Sequence, residues 1–279
     1  MKKIILSTVL GLSSALLFAN PNPTQSAASP AVAQQVDPQF AQVEAFLKAN
    51  DYAAAYARLS EMAKQNNPQA IYNLGYLTLH GQGTAKDEKK AIQLFQQASN
   101  LGYGAASYVL SQYYSSGAFG LKADMNKAKD YLSKASKQNY DDATAQLAFV
   151  LFSESKPDSD KKALELLEPL IKKGHLQAIF NMSLYQMSHG QINNKPAMVQ
   201  QGFNGLNDLA LKGYVPALMA TANMFLSGDI IAQDLDKAAT IFSELAKHNV
   251  PQAQTQLAKV RQLQAQSRNR NTAAKPASK

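Results

Sequence analysis

Apolar residues recur along most of this chain at helical spacing, and the pattern itself recurs. The stretch "YNLGYLTLHGQGTAKDEKKAIQLFQQASNLGY", residues 72 to 103, predicts two amphipathic helices pinched around a glycine turn. Taking Ala70 as the first position, alanine returns at Ala106, Ala143, Ala178, Ala217 and Ala253, at spacings of 36, 37, 35, 39 and 36. Four positions on stand Leu74, Leu110, Leu147, Met182, Thr221 and Leu257. Seven positions on, every residue is apolar: Leu77, Tyr113, Val150, Tyr185, Met224 and Val260. These offsets share one helix face. Five positions on, every residue is small: Gly75, Ser111, Ala148, Ser183, Ala222 and Ala258. Glycine inside a helix costs roughly 1 kcal/mol against alanine, so Gly75 is expected to admit a neighbouring helix at close range.

The second helix of each unit has its own register. Asp87, Asp124, Ser159 and Asp234 each stand three residues before a Lys-Ala pair, and such residues accept from the free amides of a first helical turn. The units close at Gly102, Asn139, Gly174, Gly213 and Asn249, where glycine and asparagine suit a left-handed C-cap. A shorter helical hairpin, Phe40 to Asn67, precedes the array, and one polar helix follows as a cap. The expected fold is all-α: an α-solenoid of stacked antiparallel helix pairs, about five units long, with each repeat touching mainly its neighbours. Two repeats are irregular. The third has a glycine-free loop, and the fourth carries Gly202 and Gly205 within its second helix, which is expected to be broken or shifted.

The ends read differently. Lys2 and Lys3 precede an uncharged apolar run from Ile4 to Ala19 that is short for a membrane span, so residues 1–19 are expected to be a cleavable secretory signal. Residues 20–37, rich in Pro, Ser, Ala and Gln, read as a disordered linker. The solenoid is expected over 38–266 and a disordered basic tail over 267–279. The net charge of +8 belongs to the ends: without Lys2, Lys3 and the six bases from Lys259 onward, 20 bases face 20 acids. The tail could meet nucleic acid, anionic lipid or wall polymer, with nucleic acid the least suited to a place outside the cytoplasm. There is no cysteine, which rules out disulfides and a cysteine-linked lipid anchor.

The segment "AIYNLGYLTLHGQGTAKDEKKAIQLFQQASNLGY" resembles the Sel-one-like repeat (SLR), a relative of the tetratricopeptide repeat, through its A-x-x-x-L-G-x-x-Y helix, G-x-G loop and D-x-x-K-A start. The resemblance covers roughly residues 66 to 266. It implies a bacterial-envelope adaptor that contacts other proteins, and it implies little chemistry. In the tetratricopeptide relatives, the first helix of each unit lines the concave side. Carried over by register, the slots hold Gln69, Tyr72, Tyr76 and Leu79; Ala105, Tyr108, Gln112 and Ser115; Asp142, Ala145, Phe149 and Phe152; Gln177, Phe180, Leu184 and Met187; Pro216, Met219, Asn223 and Leu226. Eleven of the twenty are aromatic, Leu or Met. Two readings stand open. A tightly wound superhelix buries them as core, or they form an apolar groove for a partner's segment.

Catalytic and metal motifs do not carry an enzyme reading. His80, His175, His189 and His248 fall in different repeats with no i, i+4 pair, so neither a metal nor a cofactor is expected. Ser153-Glu154-Ser155-Lys156 contains Ser-x-x-Lys without the companion S-D-N and K-T-G motifs of penicillin-recognising enzymes. The expected function is a periplasmic, non-enzymatic scaffold holding another envelope protein of a regulatory, secretion or motility assembly. Binding of cell-wall polymer (peptidoglycan) through tail and groove is the alternative, and a hydrolase or β-lactam-interacting enzyme is the remaining class. No nucleic acid and no stable membrane insertion are expected.

Overall fold

A computed structural model describes residues 38–273, and the expected signal, linker and residues 274–279 lie outside that range. The described residues are all-α, with thirteen helices and no strand, and within each compact unit neighbouring helices pack against one another as SLR helix pairs do. The helices are α1 (Pro38–Lys48), α2 (Tyr52–Lys64), α3 (Pro68–His80), α4 (Glu88–Asn100), α5 (Gly104–Ser116), α6 (Met125–Lys137), α7 (Asp141–Ser153), α8 (Pro157–Lys172), α9 (Leu176–Ile192), α10 (Pro196–Leu211), α11 (Val215–Ser227), α12 (Leu235–Lys247) and α13 (Ala253–Ala273). None of them is long and apolar enough to cross a membrane. The chain forms two compact units, the first ending at Gln177 and the second beginning at Ala178.

The repeat columns explain the packing. All six alanines of the first column are fully buried. Gly75 sits against α4, where a Cβ would come 3.0 Å from Phe95 Cε1 and 3.2 Å from Leu94 Cβ. The small-residue column is therefore the crossing point of each helical hairpin. Ala258 alone in that column is exposed, because no helix follows α13 to cover it among the described residues.

Asp87, Asp124 and Asp234 accept from the amides of Lys90, Lys127 and Lys237 at 2.9, 3.0 and 2.9 Å, as N-caps should. The fourth expected cap is displaced. α8 starts at Pro157 with Lys156 as its cap residue, since proline at the first helical position presets the required φ. Ser159 instead donates from Oγ to Glu154 Oε2 at 2.6 Å. At the closing positions Gly102, Asn139, Gly174, Gly213 and Asn249 all have positive φ.

In the first unit, α1 to α3 share a core of Phe40, Val43, Leu59, Met62 and Leu74. A second cluster of Ile71, Leu79, Ile92, Phe95, Leu110 and Tyr113 joins α3, α4 and α5. In the second unit, Met219, Leu226, Phe242, Leu245, Leu257 and Val260 tie α11, α12 and α13 together.

Two expectations are corrected here. α10 is continuous from Pro196 to Leu211, despite Gly202 and Gly205. A Cβ at Gly202 would meet Ser183 O at 2.5 Å and Met187 Cγ at 2.6 Å, and one at Gly205 would meet Ser183 Oγ at 2.5 Å. The glycines let α9 and α10 touch backbone to side chain, and that close packing compensates their poor propensity. At the other end, α13 runs past the expected boundary at 266 to Ala273.

Candidate functional site

The first helices of the repeats in the first unit, α3, α5 and α7, place their slot residues at two depths. Tyr72, Leu79 and Phe152 are buried, whereas Tyr76, Tyr108 and Phe149 are half-buried and reach solvent. Gln112 and Ser115 flank them at intermediate exposure. The Tyr76 ring rests 4.4 Å from the His80 ring.

In the second unit every apolar slot residue on the α9 and α11 helices is core: Phe180, Leu184, Met187, Met219 and Leu226 are all buried. Of the eleven residues expected to line a groove, eight are thus packing residues here. The reason is the small-residue column. Close hairpin crossings draw the slot side chains into contact with the next repeat, and only those at the edge of the contact stay accessible.

A recurring ring contact accounts for the inner slots. Tyr72 lies 5.2 Å from Tyr103, Tyr108 lies 5.1 Å from Tyr140, and Phe180 lies 5.8 Å from Tyr214. Each pair joins a first-helix residue to the aromatic that opens the next repeat, and such pairs contribute beyond their buried area. Tyr103, Tyr140 and Tyr214 directly follow the closing residues Gly102, Asn139 and Gly213. In the third repeat the slot is Ala145, and the turn residue is His175. There the buried imidazole places Nε2 3.0 Å from Asp142 Oδ1.

Electrostatics follow the burial. Tyr72 and Tyr103 are pushed up from the ordinary phenol range by burial. Burial, then the nearby Tyr76, pushes Tyr113 up to about 12. Tyr140 is raised by burial and then by the Asp142 carboxylate, which its hydroxyl also meets. These phenols remain neutral donors at physiological pH.

The Ser-x-x-Lys segment is arranged for structure. Ser153 Oγ donates to the Val150 carbonyl at 2.6 Å. Glu154 is held by Lys129 Nζ and by the Ser159 hydroxyl, and these hydrogen bonds keep its carboxyl below the usual range. Lys156 is the cap residue that precedes α8. Among the described residues no three His, Asp or Glu side chains converge as a metal cage.

Comparisons with known proteins bear on the same elements. The Sel1 repeat family model matches residues 68–103, 104–140 and 215–250, which are the helix pairs α3–α4, α5–α6 and α11–α12. No curated protein matches the chain in sequence. The fold is similar to that of a Sel1 repeat protein from Oxalobacter formigenes (TM-score 0.64, 24% identity), over 80% of this chain and 87% of that one. It is also similar to c5321, a protective antigen of uropathogenic Escherichia coli strains with an SLR fold (TM-score 0.62, 21% identity), over 80% of this chain and 48% of that one. The first, second and fifth helix pairs after the amino-terminal hairpin thus match the Sel1 repeat, within an all-α fold similar to that of SLR proteins.

Proposed function

We propose that this protein is a non-enzymatic periplasmic scaffold that holds a segment of another envelope protein on the first-helix face of its first unit. Sel1 repeats in general mediate protein–protein contact and are non-catalytic. The observation that carries the reading is the half-buried row of Tyr76, Tyr108 and Phe149, spread over three successive repeats on helices without lysine or arginine. Aromatic side chains held rigid by packing, yet open to solvent, are the residues that most often dominate a protein interface. The periplasmic placement rests on the secretory pattern of the first nineteen residues.

The test is recovery of partners from periplasmic extract by the wild type and by Tyr76→Ala, Tyr108→Ala and Phe149→Ala combined. Loss of a specific bound protein, with helicity and melting retained, is the expected result. Equal recovery by both would remove this face from the reading. Wall polymer remains the second reading because α13 holds Lys259, Arg261, Arg268 and Arg270 and no acid. Salt-sensitive pelleting with purified sacculi, abolished by truncation after residue 266, would favour it.

A further inference from the structure

Charge is segregated between the two kinds of helix in the first unit. α3, α5 and α7 contain no lysine or arginine, and their only acids are Asp141 and Asp142. α4 and α6 carry Lys89, Lys90, Lys127, Lys129, Lys134 and Lys137. Asp141 is matched by Lys173, whose Nζ lies 3.1 Å from its carboxylate. Asp142 has no lysine or arginine within ion-pair distance among the described residues; it faces His175 and the Tyr140 hydroxyl. Its side chain is 40% exposed, against 8% for His175.

The carboxylate also lies in the first turn of α7, where the free amides stabilise negative charge. Beside it the half-buried rings of Tyr140 and Tyr108 meet at 5.1 Å with a tilt of 38°. Aromatic faces attract ammonium and guanidinium groups through their quadrupole, and an adjoining carboxylate adds a Coulombic attraction. An acidic side chain would meet repulsion from the Asp142 carboxylate.

Resting on the scaffold reading above, we infer that Tyr108, Tyr140 and Asp142 form the anchoring site for one lysine or arginine side chain of the partner's bound segment. The phenol of Tyr140 stays protonated and adds no charge, so the carboxylate sets the sign of the site. The surrounding leading helices supply apolar and amide contacts, and the single cation fixes the register of the segment along them.

The test is an NMR titration of the isotope-labelled full chain with N-acetyl-arginine amide and with uncharged N-acetyl-norleucine amide. The arginine derivative should shift the Tyr108, Tyr140 and Asp142 resonances saturably and bind about tenfold more tightly than the norleucine derivative. Asp142→Asn and Tyr108→Leu should each weaken the arginine derivative by about tenfold, while Tyr108→Phe, which keeps the ring, binds like the wild type. Equal affinity for the two probes overturns the cation site, as does binding indifferent to Asp142→Asn or an absence of shifts at these residues. Norleucine amide binding at Tyr108 as tightly as the arginine derivative would leave the scaffold face standing and remove only its charge preference. Should Asp142→Asn unfold, the Tyr108→Leu and Tyr108→Phe pair decides the matter alone.

Discussion

The carbonyl oxygen of Ser183 lies 2.5 Å from where a Cβ on Gly202 would stand, a distance that real Cβ atoms do not tolerate. Gly202→Ala must therefore move α9 away from α10. Alanine would gain up to about 1 kcal/mol of helix propensity, but overpacking against backbone costs ~1–3 kcal/mol. A net loss is expected for Gly202→Ala in urea unfolding. Gly205→Ala should cost less, because it meets only Ser183 Oγ, which can rotate away from its 2.9 Å bond to the Ile179 carbonyl.

Phe180 and Phe149 were both expected among the groove-lining slots, yet the structure separates them. Phe180 is 1% exposed and stands edge-on to Tyr214; Phe149 is half-buried. Phe180→Ala should cost ~3–5 kcal/mol, as for a buried phenylalanine. Phe149→Ala should cost less than half of that. Similar melting of the two variants would show that burial does not separate core from surface here.

The tyrosine cluster makes the first unit sensitive to alkali. A phenol raised in the folded state adds stability that is complete below its unfolded pKa of about 10 and is lost as pH rises through the folded value. For Tyr113 that window runs from about 10 to about 12. Denaturant midpoints should fall steeply across it. Tyr113→Phe should make the fall shallower, since the ring stays and the ionisable group goes; an unchanged pH profile would contradict the burial assigned to Tyr113.

Helix pairing was legible in the sequence because one residue class recurs in each column: the alanines are buried and the closing residues take positive φ. What stayed hidden depends on distances between repeats. Gly202 and Gly205 looked like helix breakers until α9 was found against them. Ser159 looked like a cap because local spacing cannot show that Pro157 starts the helix earlier. The site was legible only as a register. Periodicity placed Tyr76 and Leu79 on the same expected face, but the depth of the crossing decides that one reaches solvent and the other does not.

The least legible feature is a buried polar staple joining three elements of the first unit. Ser107 Oγ on α5 donates to Gln138 Oε1 at 2.6 Å, and Gln138 Nε2 donates to the Ser99 carbonyl at 2.9 Å. The hydroxyls of Ser99 and Ser107 meet at 2.7 Å, with Ser107 as acceptor if it spends its proton on Gln138. Ser99 and Ser107 are both fully buried, so neither can turn to water if the other is removed. Ser107→Ala leaves the Ser99 hydroxyl and Gln138 Oε1 each short of a partner, and an unsatisfied buried polar group costs ~1–3 kcal/mol. Gln138→Ala should cost a comparable amount. The double variant should fall short of the sum by at least ~0.5 kcal/mol, since the three groups act as one network. Ser116→Ala, on the exposed end of α5, should change stability by no more than ~0.5 kcal/mol. Strict additivity of the Ser107 and Gln138 effects would mean that the repeats are held there by apolar packing alone.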